Sequence, residues 1–546
     1  MTDELTTYQE QLDDEMCTWP SVPTLYTRAN AVDQWPRPLT PLTQDLIAAP
    51  QERGLDRAFA DELGTAPKSP PWTWNGVFYG WFTYGVTSAA EMADNLPGYS
   101  RAAVYSDYFG VSEDPDAPAQ KAAGGGGILA VATIGKNFVS VMRSYPKRAA
   151  AYTEQAREQL AKDLATDWTA QPDDVLAARL GAHFEEHVEM RAPHAEASVV
   201  AAPLFQNVGD AVRKLDPENG DALVTAALSG LGGIHLQEAT RAMGQVANGS
   251  LTREAFLDEY GFRGTNEFEL SADPWRDDPA TLDKLIAAAA VERDHATAER
   301  RDAARATIRK LAGWRWTMLG RMLGMLETHM RWRENAKVPN VMSTHGMRLI
   351  CREAGRRLAE RGRIAVADDV WFLRLTDLIG ELSGLATPDV QESIERRRRT
   401  HKLAADLPLP EMLDVRPGLV EAIGPDRWKS MGVLPPTPPA ADGALRGAGG
   451  APGTVTGRAR IVEDPNDVEF EDGDVIVAVG TDSAWTPLFF QAAAVIVDVG
   501  GPMSHSAIAA REMGIPCVVN VKNGTTRIAE GQTVTVDGSA GTVTLH

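Results

Sequence analysis

A chain of 546 residues exceeds the roughly 100–200 residues of an ordinary domain, so two or three domains are expected. Its 54 Lys and Arg against 75 Asp and Glu leave a net charge of −21, which opposes general binding to nucleic acid or anionic membrane. Cys17, Cys351 and Cys517 are widely spaced, without a disulfide framework or paired metal-ligand spacing, which fits a reducing compartment. The acidic start MTDELTTYQEQLDDEM lacks the basic and apolar regions of a signal peptide. No apolar run reaches the roughly 18 residues of a membrane span. A cytoplasmic protein is expected.

Residues 1–29 read as a polar lead-in, and residues 30–431 as a mostly helical unit of one or two subdomains, with a break at the glycines Gly124 to Gly127. Within it, PPWTWNGVFYGWFTYG concentrates Trp72, Trp74, Phe78, Tyr79, Trp81, Phe82 and Tyr84. Such rings either line an apolar pocket with polar tips, Trp81 and Tyr84 among them, or fill ordinary core. His183 and His187 share a helix face at a metal-binding spacing, but with no third ligand in view a packing or surface role is expected. From Ile308 to Lys337 a stripe through Leu311, Met318, Met322 and Leu326 leads to Arg333 and Lys337, and Pro339 is expected to end that helix or to lie just beyond it.

Composition shifts at Gly432. Residues 432–451 are rich in Pro, Gly and Ala and read as a semi-rigid linker. Residues 452–546 then supply short candidate strands, VTGRARIV, DVIVAV, AAVIVDVG, CVVNV, QTVTVDG and GTVTLH, with a helix SHSAIAAREM capped by Gly514. The fold class is therefore multidomain: a mostly α-helical unit followed by a compact α/β domain.

In DVGGPMSHSAIAAREMG, Gly500 and Gly501 follow an apolar strand, and His505 opens a helix carrying Arg511. Glycines allow close backbone approach, and free amides at a helix start favour a phosphate. A neutral imidazole is a competent nucleophile, with Ser504 and Ser506 available as donors. Taken alone, the same turn reads more readily as a simple helix cap than as an anion site.

The segment from Pro452 to Leu545 resembles the mobile phosphohistidine domain of PEP-utilising enzymes, through PGTVTGRARIV, WTPLF, GGPMSHSAIAAREMGIPCVV and VTVDGSAGTV. The wording is closest to the rifampin phosphotransferase branch, and the resemblance implies that His505 carries a phosphoryl group. Upstream, NAVDQWPRPLTPLTQDLI resembles the opening of that family's acceptor-binding domain. YGFRGTNEFEL resembles its glycine-arginine-glutamate segment, assigning Arg263 and Glu267 to substrate binding, with Phe262 where the family often has His. RWRENAK matches its Arg-Glu-x-x-Lys pattern. Arg333 and Lys337 are thereby expected to hold phosphoryl oxygens, and Glu334 to orient or deprotonate an acceptor. DDVWFL, from Asp368 to Leu373, also matches and reads as packing.

No segment resembles the ATP-grasp domain of these enzymes or their PEP-binding barrel, and no P-loop pattern occurs. The resemblance therefore implies the acceptor-and-carrier subunit of a two-component aryl phosphate synthase. An ATP-grasp partner in trans would use ATP and Mg2+, and a phenol or aromatic alcohol would accept the phosphoryl group. A rifamycin-type antibiotic phosphotransferase component and a non-catalytic regulatory protein are the alternatives.

Overall fold

The computed structural model describes residues 12, 14–22, 24–29, 31–66, 72–93, 101–104, 128–290, 297–385, 388–407, 409–424, 444–463, 470–471, 473–482 and 485–546. The glycines at 124–127 and most of the Pro-rich spacer lie outside them. The architecture is a large helical unit with a small sheet at its base, followed by an α/β domain seated against it.

Two distant parts of the chain close the first unit. Strands β1 (Thr24–Thr27), β2 (Asn75–Phe78), β3 (Trp81–Gly85), β4 (Met412–Arg416) and β5 (Leu419–Ala422) form an antiparallel sheet of order β2-β3-β1-β4-β5. The lead-in thus contributes the central strand, a difference from the sequence expectation. TLYT was too short to register as a strand, and its partner β4 lies far away in sequence.

Above the sheet pack α1 (Ala49–Asp56), α2 (Ile128–Ala165), α3 (Asp173–Arg213), α4 (Thr297–Ala312), α5 (Trp316–Asn335) and α6 (Val338–Glu360). The expected stripe from Ile308 to Lys337 is broken. Gly313 adopts φ 55°, which ends α4 and resets the helical phase. Leu311 and Met318 consequently face solvent, while Leu319, Leu323, Leu326 and Met330 are buried. Pro339 lies just beyond the end of α5 at Asn335, the second of the two places expected for it. It stands in the first turn of α6, where its missing N–H costs nothing.

In the C-terminal domain, β6 (Leu445–Arg446), β7 (Ala448–Ala451), β8 (Thr454–Ile461), β9 (Val475–Ala478), β10 (Ala494–Val497), β11 (Cys517–Val519), β12 (Thr533–Asp537) and β13 (Thr542–Leu545) form one sheet. Its order is β6-β13-β12-β8-β9-β10-β11-β7, with β8 to β11 parallel. Parallel strands buried on both faces read as continuous apolar runs, as VIVA and AVIV do. β6 and β7 fall in residues the sequence assigned to the linker. Their glycines disguise them but serve packing: a Cβ on Gly447 would sit 2.2 Å from the Val519 carbonyl oxygen. Helix α7 (His505–Met513) packs on this sheet, with Ser504 as N-cap and Gly514 as left-handed C-cap at φ 70°.

Candidate active site

His505 lies where the two units meet. Its side chain is buried, and neither ring nitrogen has a hydrogen-bond partner. Burial, followed by the nearby Lys337 ammonium, lowers its pKa to about 3, so the imidazole is neutral. Gly500, at φ 127°, passes so close to Ser504 that a Cβ there would lie 3.0 Å from its Oγ. Gly501 accepts the Ser504 amide at 2.9 Å, and Ser504 Oγ accepts from the Ala507 amide at 3.5 Å, fixing the turn that presents His505.

The expected free phosphate cradle is partly engaged. Ser506 Oγ pairs with Thr481 Oγ1 at 2.8 Å, and Arg511 donates to the carbonyls of Gly450 and Pro502, bracing α7. The His505 amide donates at 2.8 Å to Asp33 Oδ2 in the helical unit.

Asp33 was not singled out from sequence. It sits in the turn after β1, where the Ala31 and Val32 amides both donate to the Arg28 carbonyl. Burial raises its pKa to about 6 against the opposing pull of the His505 amide, Lys337 and Arg333, and its Oδ1 is unpartnered. A carboxyl with that pKa is mostly ionised at neutrality yet still basic enough to take a proton, a suitable state for a general base.

Arg333, Glu334 and Lys337 converge on the same place from the break between α5 and α6. Lys337 Nζ donates to Glu334 Oε2 at 3.0 Å, and Arg333 Nη1 donates to the Met503 carbonyl at 2.8 Å. Burial pushes the Glu334 carboxyl up, but Lys337 and Arg333 outweigh it and hold its pKa at about 2. Glu334 therefore remains ionised and orients the cations. It is a weaker base than Asp33.

Arg263 and Glu267 form a buried pair at 2.9 Å, with Arg263 Nη1 3.2 Å from His235 Nδ1. Arg263 is close enough for its charge to act on His505. A cavity of about 100 Å3 opens beside these groups, lined in part by Asp33, Tyr84, Arg191, His194, Arg333 and Lys337.

The two aromatic candidates separate. Alternation along β3 sends Tyr84 to the cavity, where Gln51 Nε2 donates to its hydroxyl at 3.3 Å. Trp81 points the other way into a cluster with Tyr26 and Leu413, its indole donating to the Ala404 carbonyl at 2.9 Å. Trp81 is core and does not line the cavity. His183 and His187 are buried on α3, with His183 Nε2 3.0 Å from Asp163, in the packing role expected of them.

Residues 470–541 match the family described as PEP-utilising enzyme, mobile domain. The C-terminal unit is thus similar to the mobile domain of PEP-utilising enzymes. Residues 206–334 match the rifampicin phosphotransferase fourth domain, a stretch that contains Arg263, Glu267, Arg333 and Glu334. The chain is 34% identical over 303 residues to the prodigiosin synthesizing transferase PigC of Serratia marcescens, covering 54% of this chain and 33% of PigC. It is 28% identical over 333 residues to a rifampicin phosphotransferase of Streptomyces sviceus, covering 58% and 37% respectively. An uncharacterized phosphotransferase of Bacillus subtilis, YvkC, is 34% identical over 207 residues, 36% of this chain and 23% of that one. The chain thus spans about a third of the length of PigC and of the S. sviceus relative. Among the described residues, no helix is long and apolar enough to cross a membrane.

Proposed function

We propose that this chain is the acceptor-binding and phosphocarrier part of a cytoplasmic phosphotransferase. His505 takes a phosphoryl group from ATP, with Mg2+, at an ATP-grasp partner in trans, and delivers it to a small organic hydroxyl, a phenol or aromatic alcohol. The observation that carries this reading is the neutral, unpartnered His505 ring, buried beside Asp33, Arg333 and Lys337.

In the transfer step the acceptor oxygen attacks phosphorus as the P–N bond breaks. The hydroxyl proton passes to Asp33, and the bonding pair returns to the ring, whose other nitrogen carries a proton, so that neutral imidazole leaves. Arg333 and Lys337 neutralise the charge on the phosphoryl oxygens, and Glu334 holds Lys337 in position. Arg263 adds positive charge, with Glu267 fixing it.

A rifamycin-type acceptor is the second reading, favoured by the rifampicin phosphotransferase relatives. The cavity lining favours a small aromatic acceptor, since Phe59 and Tyr84 offer rings beside Asp33. The test is incubation with an ATP-grasp phosphotransferase subunit and ATP labelled at the β-phosphate. An acid-labile, base-stable label on His505 is expected, and the same label in His505→Asn would refute the assignment.

A further inference from the structure

The buried cation of Arg191 is bonded to no carboxylate among the described residues. It projects from the middle of α3 into the wall of the cavity that also contains Asp33, Tyr84 and Arg333. Its Nη1 reaches Gln34 Oε1 only at 3.5 Å, while Nε and Nη2 have no partner. Those two nitrogens form the side-on edge of the guanidinium, the edge that receives both oxygens of a carboxylate. Among the described residues, no other arginine leaves two buried guanidinium nitrogens unpartnered.

The other deeply buried arginines have their acceptors. Arg263 meets Glu267, Arg397 meets Asp377 and Glu15, Arg348 meets the carbonyls of Leu270 and Glu269, and Arg511 meets two carbonyls. Leaving a buried charge unpaired is costly, and an anion bound at that edge would offset the cost.

The surroundings hold Arg191 in place. Its Cζ lies 5.0 Å from the Phe268 ring centroid and 5.5 Å from that of Trp35. Gly54 on α1 makes room for it, since a Cβ there would fall 2.5 Å from Arg191 Cβ. Burial lowers its pKa to about 10, which still leaves it charged at neutral pH. The charges weighing most on His505 are Lys337, Glu334, Arg263 and Arg333, whereas Arg191 weighs on Tyr84 and His194. Arg191 thus shares one cavity wall with Asp33, Tyr84 and His194, where an acceptor would lie.

We propose that the acceptor carries a carboxylate as well as its hydroxyl, and that the Nε/Nη2 edge of Arg191 binds that carboxylate while the hydroxyl meets Asp33. This rests on the acceptor-site reading above but is tested without phosphoryl transfer. The full chain carrying His505→Asn is titrated calorimetrically with the three hydroxybenzoate isomers and with the ring-matched hydroxybenzamides. At least one hydroxybenzoate binds tenfold or more tightly than its amide, and adding Arg191→Gln removes that preference. Arg191→Lys, which keeps the charge but loses the fork, retains part of it and guards against a folding failure of the glutamine variant. Equal binding of acid and amide, no binding of any acid, or an undiminished preference in Arg191→Gln overturns the proposal. None of these outcomes alters whether His505 can be phosphorylated, so the two readings fail separately.

Discussion

The Asp33 carboxylate, in a turn just after the first strand, accepts the backbone amide of His505 at 2.8 Å across the interface between the two units. One oxygen of this carboxylate registers the carrier helix, and the other is unpartnered at the cavity. In the proposed transfer, docking and proton acceptance converge on this one side chain.

Asp33→Asn should leave phosphorylation of His505 intact while slowing transfer to the acceptor by roughly 10²–10⁴, the range for loss of a general base. Because burial raises the Asp33 pKa to about 6, the active carboxylate forms as pH rises through that value. Single-turnover transfer should climb to a plateau above about pH 6 in the native chain, and Asp33→Asn should lose that limb.

Arg333→Ala and Lys337→Ala should each slow transfer by roughly 10²–10³, as when one transition-state donor is removed. The Lys337 variant should also raise the Glu334 pKa, since Lys337 is the strongest influence opposing burial there. Rapid-quench measurement of transfer from phosphorylated chain checks the first effect. Failure of either variant to become phosphorylated would assign these cations to the other half-reaction.

Docking should be separable from chemistry at Gly480. A Cβ on this residue would lie 2.8 Å from Val32 Cγ1 in the helical unit. Overpacking costs about 1–3 kcal/mol, so Gly480→Ala should slow delivery roughly 5- to 150-fold, with the carrier domain still folded by circular dichroism. Lys522 and Glu411, an ion pair across the same interface, provide a salt-sensitive comparison.

The two faces of β3 should respond differently. Trp81→Phe removes the indole donor to the Ala404 carbonyl and should lower stability by about 1–3 kcal/mol without changing acceptor affinity. Tyr84→Phe should change acceptor affinity with little loss of stability, since its ring remains packed on Phe82 at 5.3 Å. Denaturant melts paired with ligand titration distinguish them.

Much of the carrier domain was legible because its apolar parallel strands and the Gly-Gly-x-x-Ser-His turn are local patterns. β6 and β7 were not, because close contact with neighbouring backbone demands glycine and alanine there, and these read as linker. Arg333, Glu334 and Lys337 were legible through their resemblance to the Arg-Glu-x-x-Lys pattern, although Gly313 breaks the apolar stripe leading to them. Asp33 and Arg191 were missed for one shared reason. A single polar residue in a turn or on a long helix has no periodicity to mark it, and its meaning comes only from tertiary neighbours.

The central claim is that His505 itself delivers phosphoryl to an acceptor held by the helical unit. The most direct measurement uses phosphoramidate, a small chemical donor to imidazoles, to phosphorylate the purified chain, followed by removal of donor and addition of a hydroxybenzoate or phenol panel. Phosphorus NMR should show the phosphohistidine signal lost as an aryl phosphate ester appears, and neither signal should arise in His505→Asn. Ester formation at the native rate in His505→Asn, or a stable phosphohistidine at His505 that no hydroxyl compound discharges, would contradict the account.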